Sequence, residues 1–418
     1  MVGSAGASGS AAPAASTLVE RNRLWARLES AVRTAPGPLP TPVGVVDLDA
    51  FDANATDLVR RAAGKPVRVA SKSVRVPELL RRVLAREGFD GVLGYTLAEA
   101  LWLVDHEVSD DVVVAYPTVD REALGRLVAS PRAAARITLM IDDVAHLEVV
   151  DSVRSSTAVP VRVALDVDAG LRMGGQHVGP KRSPLYDAAS VVALARTVTE
   201  RPGFRLVGVM TYEGQVAGVP DDVPRQRARS LVVRRLKQLS LVQLEERRRA
   251  VADALRDLVE LEFWNAGGSG SVETTVADPV VTEVAAGSGL LVPTLFDHYQ
   301  SFTGRPAAFY GLPVTRRPSP QVATVHGGGL LASGPAGDDR LPTPWAPAGL
   351  HLTGLEGAGE VQTPLTGHPA STLVIGDLVW FRHAKSGEPF EHLPTVHLLE
   401  GDRFTSAVAS YRGHGLAF

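Results

Sequence analysis

The chain has 418 residues, 45% hydrophobic and 21% charged, the composition of a folded globular protein rather than a disordered one. Lys and Arg number 43 against 46 Asp and Glu, a net charge of −3, so no basic excess points to nucleic acid or an anionic membrane as partner. The absence of cysteine excludes disulfide scaffolds, thiol nucleophiles, iron–sulfur clusters and cysteine zinc sites.

In chain order, residues 1–17 are nearly all Ala, Gly and Ser without a basic or continuous apolar segment, which predicts a disordered tail and no signal peptide. No stretch approaches the roughly 18 apolar residues that a membrane span needs, and a cytoplasmic location is expected. Leu18–Val32 reads as an amphipathic helix closed by the Pro-rich segment Pro36–Pro42. This helix and linker, residues 18–40, are expected to pack with a C-terminal β-domain. Short β-branched runs then alternate with helical ones. The expected strands are Val43–Leu48, Val67–Ser71, Gly91–Tyr95, Asp111–Tyr116, Arg136–Ile141, Val161–Asp168, Arg205–Tyr212 and Leu261–Ala266. Helices are expected at Phe51–Ala63, Pro77–Glu87, Arg121–Val128, Ala188–Glu200 and about Gln226–Leu258. Most of the strands are continuous in Val, Leu and Ile, as strands covered on both faces are. Eight of them with helical crossovers give an α/β chain with a (β/α)8 TIM-type barrel over 41–285, and a doubly wound sheet is the competitor. After about Ala285, Pro and Gly become frequent and helical periodicity ends. Runs at Gln321–Val325, Thr372–His383 and Thr395–Leu399 predict an all-β domain over 286–418. The basic run Arg225–Arg249 carries Leu, Val and Glu at helical spacing, which reads as a solvated helix face.

Only five of the basic residues are lysine: Lys65, Lys72, Lys181, Lys237 and Lys385. Lys72 stands just after the second expected strand, where barrels place functional groups. An amine partly withdrawn from water at an apolar strand end favours its neutral form, which Schiff-base chemistry needs; a solvated lysine at a strand–loop junction is the competing reading. Gly267-Gly268-Ser269-Gly270-Ser271 follows the eighth expected strand, and glycine-rich backbone there can offer several N–H donors to a phosphate. A phosphate loop facing a lysine suggests a phosphorylated cofactor bound through that lysine.

These features resemble the fold-type III pyridoxal-phosphate enzymes, the alanine racemase and D-threonine aldolase group. Thr41–Asp49 and Arg68-Val69-Ala70-Ser71-Lys72-Ser73 are similar to that group's first strand and cofactor lysine. Gly91–Glu99 resembles its third strand and Val207–Gly214 its seventh. Gly289–Tyr299, Gly357–Thr363 and Trp380–Glu388 resemble bacterial amino acid deaminase/aldolase proteins. The resemblance implies pyridoxal 5'-phosphate on Lys72, its phosphate held by Gly268, Ser269, Gly270 and Ser271, Tyr212 beside the ring, and Arg172 near the ring hydroxyl or substrate carboxylate. It also implies a homodimer with the active site near the subunit boundary.

One departure bears on the reaction. Aldolases and dehydratases of this group hold a divalent metal through a late His-x-Asp or His-x-Cys pair, and the matching run here is His383-Ala384-Lys385. A protonated lysine cannot ligate a metal and repels one. Either Lys385 takes the metal's electrostatic place at the substrate β-hydroxyl, or a metal is held through other groups such as His326 or Glu360; an ion pair of Lys385 with Glu388 is the structural reading. No metal ligand is therefore assigned, and the divalent metal is left open. His383 is the candidate proton-transfer group. The expected function is a pyridoxal-phosphate-dependent lyase acting on a small β-hydroxy D-amino acid, by retro-aldol cleavage or dehydrative deamination. A racemase, or a cofactor-homeostasis protein without turnover, is the alternative.

Overall fold

The structure, a computed structural model, describes residues 17–155, 159–224 and 226–418, so the expected tail 1–17 lies outside it except for its last residue. Eight parallel strands close into a barrel: Val67–Ala70, Phe89–Gly94, Val112–Val114, Ile137–Ile141, Val161–Asp166, Phe204–Thr211, Phe263–Ala266 and Glu283–Ala286. Closure comes from the last strand pairing with the first, Val284 opposite Val67 and Ala286 opposite Val69. Val113, Met140, Ala164, Val207, Met210 and Phe263 form one buried cluster, while the alternate side chains join the larger core under the helices. Burial on both faces is why these strands are continuous in apolar residues.

The barrel therefore differs from expectation at its first strand and at its last. Val43–Asp47 is not in it: the segment pairs antiparallel with Ala308–Ser319 and parallel with Thr395–Glu400, inside the C-terminal sheet. Its five residues are all buried, but by different neighbours. Val43 and Val45 pack with Leu28, Trp345 and Trp380, while Val46 faces the barrel-side core. Apolar character records two covered faces and not which sheet covers them. The true eighth strand, Glu283–Ala286, is four residues long and opens on a buried glutamate bonded to Arg68, so its apolar run is only Val284–Ala286. Counted in the barrel, Lys72 follows the first strand, Tyr212 the sixth and the glycine–serine loop the seventh.

The N-terminal helix Leu18–Arg33 starts on a capping box between Thr17 and Glu20 and buries Leu28 and Ala31 against the C-terminal sheet. That sheet has nine strands. Its longest, Ala308–Ser319, includes Pro313 opposite Leu378, and proline argues against a strand in sequence because it donates nothing to the ladder. The expected strand Thr372–His383 is strand only over Leu378–Arg382. The basic helix spans Arg227–Leu255, and its face is not wholly solvated: Lys237 pairs with Asp221 at 2.8 Å and Arg248 with Glu213 at 2.9 Å, both cations buried.

Candidate active site

The carboxyl ends of the barrel strands open into a cavity of about 1150 Å³, walled on the far side by β-domain residues including Trp345, Lys385 and Glu388. Lys72 lies in the short turn Ser71–Ser73 after the first barrel strand and lines this cavity. Its Nζ is 2.7 Å from the Tyr116 hydroxyl. Tyr116, just past the third strand, is a functional candidate that the sequence reading missed. Burial raises its pKa, but the Lys72 ammonium and the Arg182 guanidinium outweigh that and hold the phenol below its usual value. Arg182 stands 5.8 Å from the ring centroids of both Tyr116 and Tyr212. Tyr212 lines the same cavity after the sixth strand, and burial pushes its phenol up, keeping it protonated near neutrality. Asp166, at the end of the fifth strand, is pushed up to about 7, by burial first and by Asp142 next, with Arg182 opposing.

Gly267, Gly268 and Ser269 line the cavity, whereas Gly270 and Ser271 do not. The Ser271 hydroxyl is turned back toward Glu213 and Thr275, so of the two loop serines only Ser269 stands at the wall. A side chain at Gly270 would meet the Ala217 carbonyl oxygen at 2.3 Å, which explains glycine there. The Ser269 and Gly270 amides have no hydrogen-bond partner among the described residues. Arg61 braces the loop from outside, donating to the Ser269 carbonyl at 2.8 Å and pairing with Glu273.

Arg172 and His383 are placed off the cavity, and Lys385 is on its wall but ion-paired. Arg172 sits on the hairpin formed by Leu171–Met173 and Gln176–Val178, half-exposed, its guanidinium 3.5 Å from the Tyr186 ring centroid. It lines a neighbouring depression and not the cavity, whose arginine near the tyrosines is Arg182. No spacing in the loop 179–185 distinguished Arg182, since only the barrel brings it between two tyrosines. His383 is buried, off the cavity wall, with Nδ1 3.3 Å from the Ala308 carbonyl and Nε2 without a partner. Burial and the adjacent Arg382 press its pKa down to about 3, so it stays neutral and reaches no cavity proton. Lys385 does line the cavity, but its ammonium is bound by Glu388 at 2.7 Å and by the Ser333 hydroxyl. That ties the segment Gly327–Leu341 to the mouth. Among the described residues no group of three His, Asp or Glu side chains could hold a metal ion, and neither His326 nor Glu360 lines the cavity. His177 makes an unforeseen pair with buried Asp168 at 2.7 Å.

A closed parallel barrel with one lysine at a strand end, a glycine–serine loop across the cavity and a C-terminal β-domain over the mouth defines a class of two-domain barrel proteins. Residues 46–292 match the alanine racemase N-terminal domain, and the chain belongs to that family. Over 251 residues it is 28% identical to a D-threonine aldolase of Arthrobacter sp, the match covering 59% of this chain and 60% of that one. Over 256 residues it is 22% identical to a 3-hydroxy-D-aspartate aldolase of Paracoccus denitrificans, 60% of each chain. The matches thus span less than two thirds of either relative. The crystal structure of D-threonine aldolase from Filomicrobium marinum superimposes with a TM-score of 0.75 at 21% identity, covering 92% of this chain and all of that one. D-threo-3-hydroxyaspartate dehydratase from Delftia sp. HT23 gives 0.67 at 19% identity, covering 89% and 97%. These two likenesses show a shared fold across both domains. Among the described residues no helix is long and apolar enough to cross a membrane.

Proposed function

We propose that this chain is a pyridoxal 5'-phosphate-dependent lyase acting on a small β-hydroxy D-amino acid, by retro-aldol cleavage or by dehydrative deamination. The observation that carries the reading is Lys72 at a barrel strand end, inside a cavity whose wall includes the glycine–serine loop, in a chain similar to two hydroxy-amino-acid aldolases. The residues present fit the cofactor. Lys72 supplies the amine for its aldehyde, the unpartnered Ser269 amide on the cavity wall suits a phosphate oxygen, and Tyr212 offers a ring beside it. When bound, pyridoxal phosphate supplies an electron sink that labilises bonds at the substrate's α-carbon.

The chain's own groups do the rest. Lys72 and Lys385 are the lysines on the cavity wall, and Lys385 is committed to an acidic partner while Lys72 contacts only a phenol, so Lys72 is the amine that can be freed. Tyr116 Oη can exchange a proton with Lys72 Nζ across 2.7 Å, and Arg182 beside it favours the phenolate. Arg182 also offers a fixed charge to a substrate or cofactor oxygen. Lys385 Nζ has three donors, of which Glu388 and Ser333 take two, leaving one for a substrate hydroxyl. A racemase would need a second proton-transfer group; of the three tyrosines after residue 285, Tyr310 and Tyr411 do not line the cavity, and Tyr299, which does, commits its hydroxyl to the Ala217 carbonyl at 3.0 Å. The homodimer and the cytoplasmic location belong to the same proposal, the first carried by resemblance alone.

The test has two arms. Added pyridoxal phosphate should give a visible absorption that Lys72→Ala abolishes; an unchanged spectrum in the variant removes Lys72 from the mechanism. D-Threonine and D-serine should then yield glycine and aldehyde, or keto acid and ammonia. Inversion without cleavage makes the chain a racemase, and no product from a panel of D- and L-amino acids makes it a cofactor-binding protein. Activity lost to a chelator and restored by a divalent ion would overturn the role given to Lys385.

A further inference from the structure

Behind the glycine–serine loop lies a carboxylate that the chemistry above does not use. Glu213 follows Tyr212 in the chain, yet its side chain is fully buried and does not line the cavity. One carboxylate oxygen accepts the Gly267 N–H at 3.1 Å and Arg248 at 2.9 Å. The other accepts the Thr275 hydroxyl and, at 3.4 Å, the Ser271 hydroxyl. Ser271 Oγ in turn accepts the Gly268 N–H at 3.2 Å. The start of the loop, its end and the helix Val272–Val276 beyond it are therefore gathered on one side chain. Arg248, from the long helix, balances the charge and also grips the Thr211 hydroxyl at 2.8 Å and carbonyl at 3.0 Å, as well as Asp278 at 3.3 Å.

Resting on the reading of the loop as the phosphate site, we propose that Glu213 is a positioning residue for the cofactor's phosphate, holding Gly268 and Ser269 at the cavity wall through Gly267 and Ser271. A buried carboxylate suits this task because its two oxygens accept from four donors at once, one of them a backbone N–H that has no alternative partner. Alanine would leave that amide unsatisfied and one hydroxyl of the Ser271–Thr275 pair without an acceptor, and the loop free to shift. Glutamine can keep its oxygen toward Gly267 and Arg248 and donate its amide to the hydroxyls, so it preserves the arrangement.

The discriminating measurement compares pyridoxal phosphate with pyridoxal, which has the same aldehyde but no phosphate. Binding of each is read from the Lys72-dependent absorption in a titration, with no turnover required. Glu213→Ala should weaken pyridoxal phosphate about tenfold or more, while pyridoxal binding changes less than twofold. Glu213→Gln should stay within about threefold of the parent for both. If Glu213→Ala does not fold, Ser271→Ala carries the test, because it cuts the link from Glu213 to the Gly268 N–H while leaving the Arg248, Gly267 and Thr275 contacts of the carboxylate in place, and it should weaken pyridoxal phosphate selectively. Equal weakening of both aldehydes, or of neither, would overturn the proposal in favour of a purely structural ion pair. A parent protein that takes up neither aldehyde on Lys72 would instead overturn the cofactor reading itself.

Discussion

Asp166 offers the sharpest physical test of the cavity's electrostatics. Its carboxyl, 8% exposed at the end of the fifth barrel strand, is lifted from the ordinary 3.8 to about 7 by loss of water and by Asp142. The sign follows from linkage. An acid with a raised folded-state pKa is held protonated more tightly than in the unfolded chain. Stability is therefore undiminished below the unfolded value, falls as pH rises toward 7, and is level above it. That interval corresponds to about 4 kcal/mol, the smaller part of which is already lost at pH 5. Asp166→Asn removes the ionisation and keeps the shape. In urea unfolding of the cofactor-free protein, the variant should gain on the parent by about 2–3 kcal/mol between pH 5 and pH 8. A difference between variant and parent that stays constant over this range would refute the placement of a desolvated, protonatable carboxyl at this strand end.

Two further outcomes follow from side-chain contacts of the β-domain. The Tyr411 hydroxyl donates to fully buried Glu99 at 2.7 Å, so Tyr411→Phe should cost about 1–3 kcal/mol in urea unfolding. Because burial raises the Glu99 pKa and the tyrosine's bond lowers it, that cost should be present where Glu99 is ionised and shrink as pH falls through its pKa. Glu388→Ala should release the Ser333 backbone, the Ser333 hydroxyl and the Lys385 ammonium together and raise the rate of tryptic cleavage after Arg340 several-fold, with little change in thermal stability, since the cluster is partly exposed. An unchanged cleavage rate would show that the segment is held by other contacts.

Lys72 was readable because lysine is scarce here and an apolar run leads directly to it, and Gly268 and Ser269 because a glycine–serine cluster follows another such run. His383 was misread because a histidine beside an apolar strand looks the same in sequence whether it faces a cavity or the core. The packing of Ala308 and Arg382 around it turned it into a neutral, buried ring. Arg172 and Arg182 are ten positions apart in one polar stretch, and only the hairpin Leu171–Val178 decides which of them reaches the tyrosines. Tyr116 lay at the end of a recognised strand, so position alone was its signal.

The sequence by itself determined the alternation of strand and helix, the strand-rich character of the C-terminal part, and a lysine and a glycine–serine loop that each follow an apolar run. Those properties are local: periodicity, turn residues and rare side chains act over a few positions. Tertiary structure alone decided that Val43–Asp47 serves the C-terminal sheet and Glu283–Ala286 closes the barrel, because strand pairing joins segments far apart in the chain. It also decided the ionisation of Asp166, Tyr116 and His383, since desolvation and neighbouring charges depend on what the fold packs around each group.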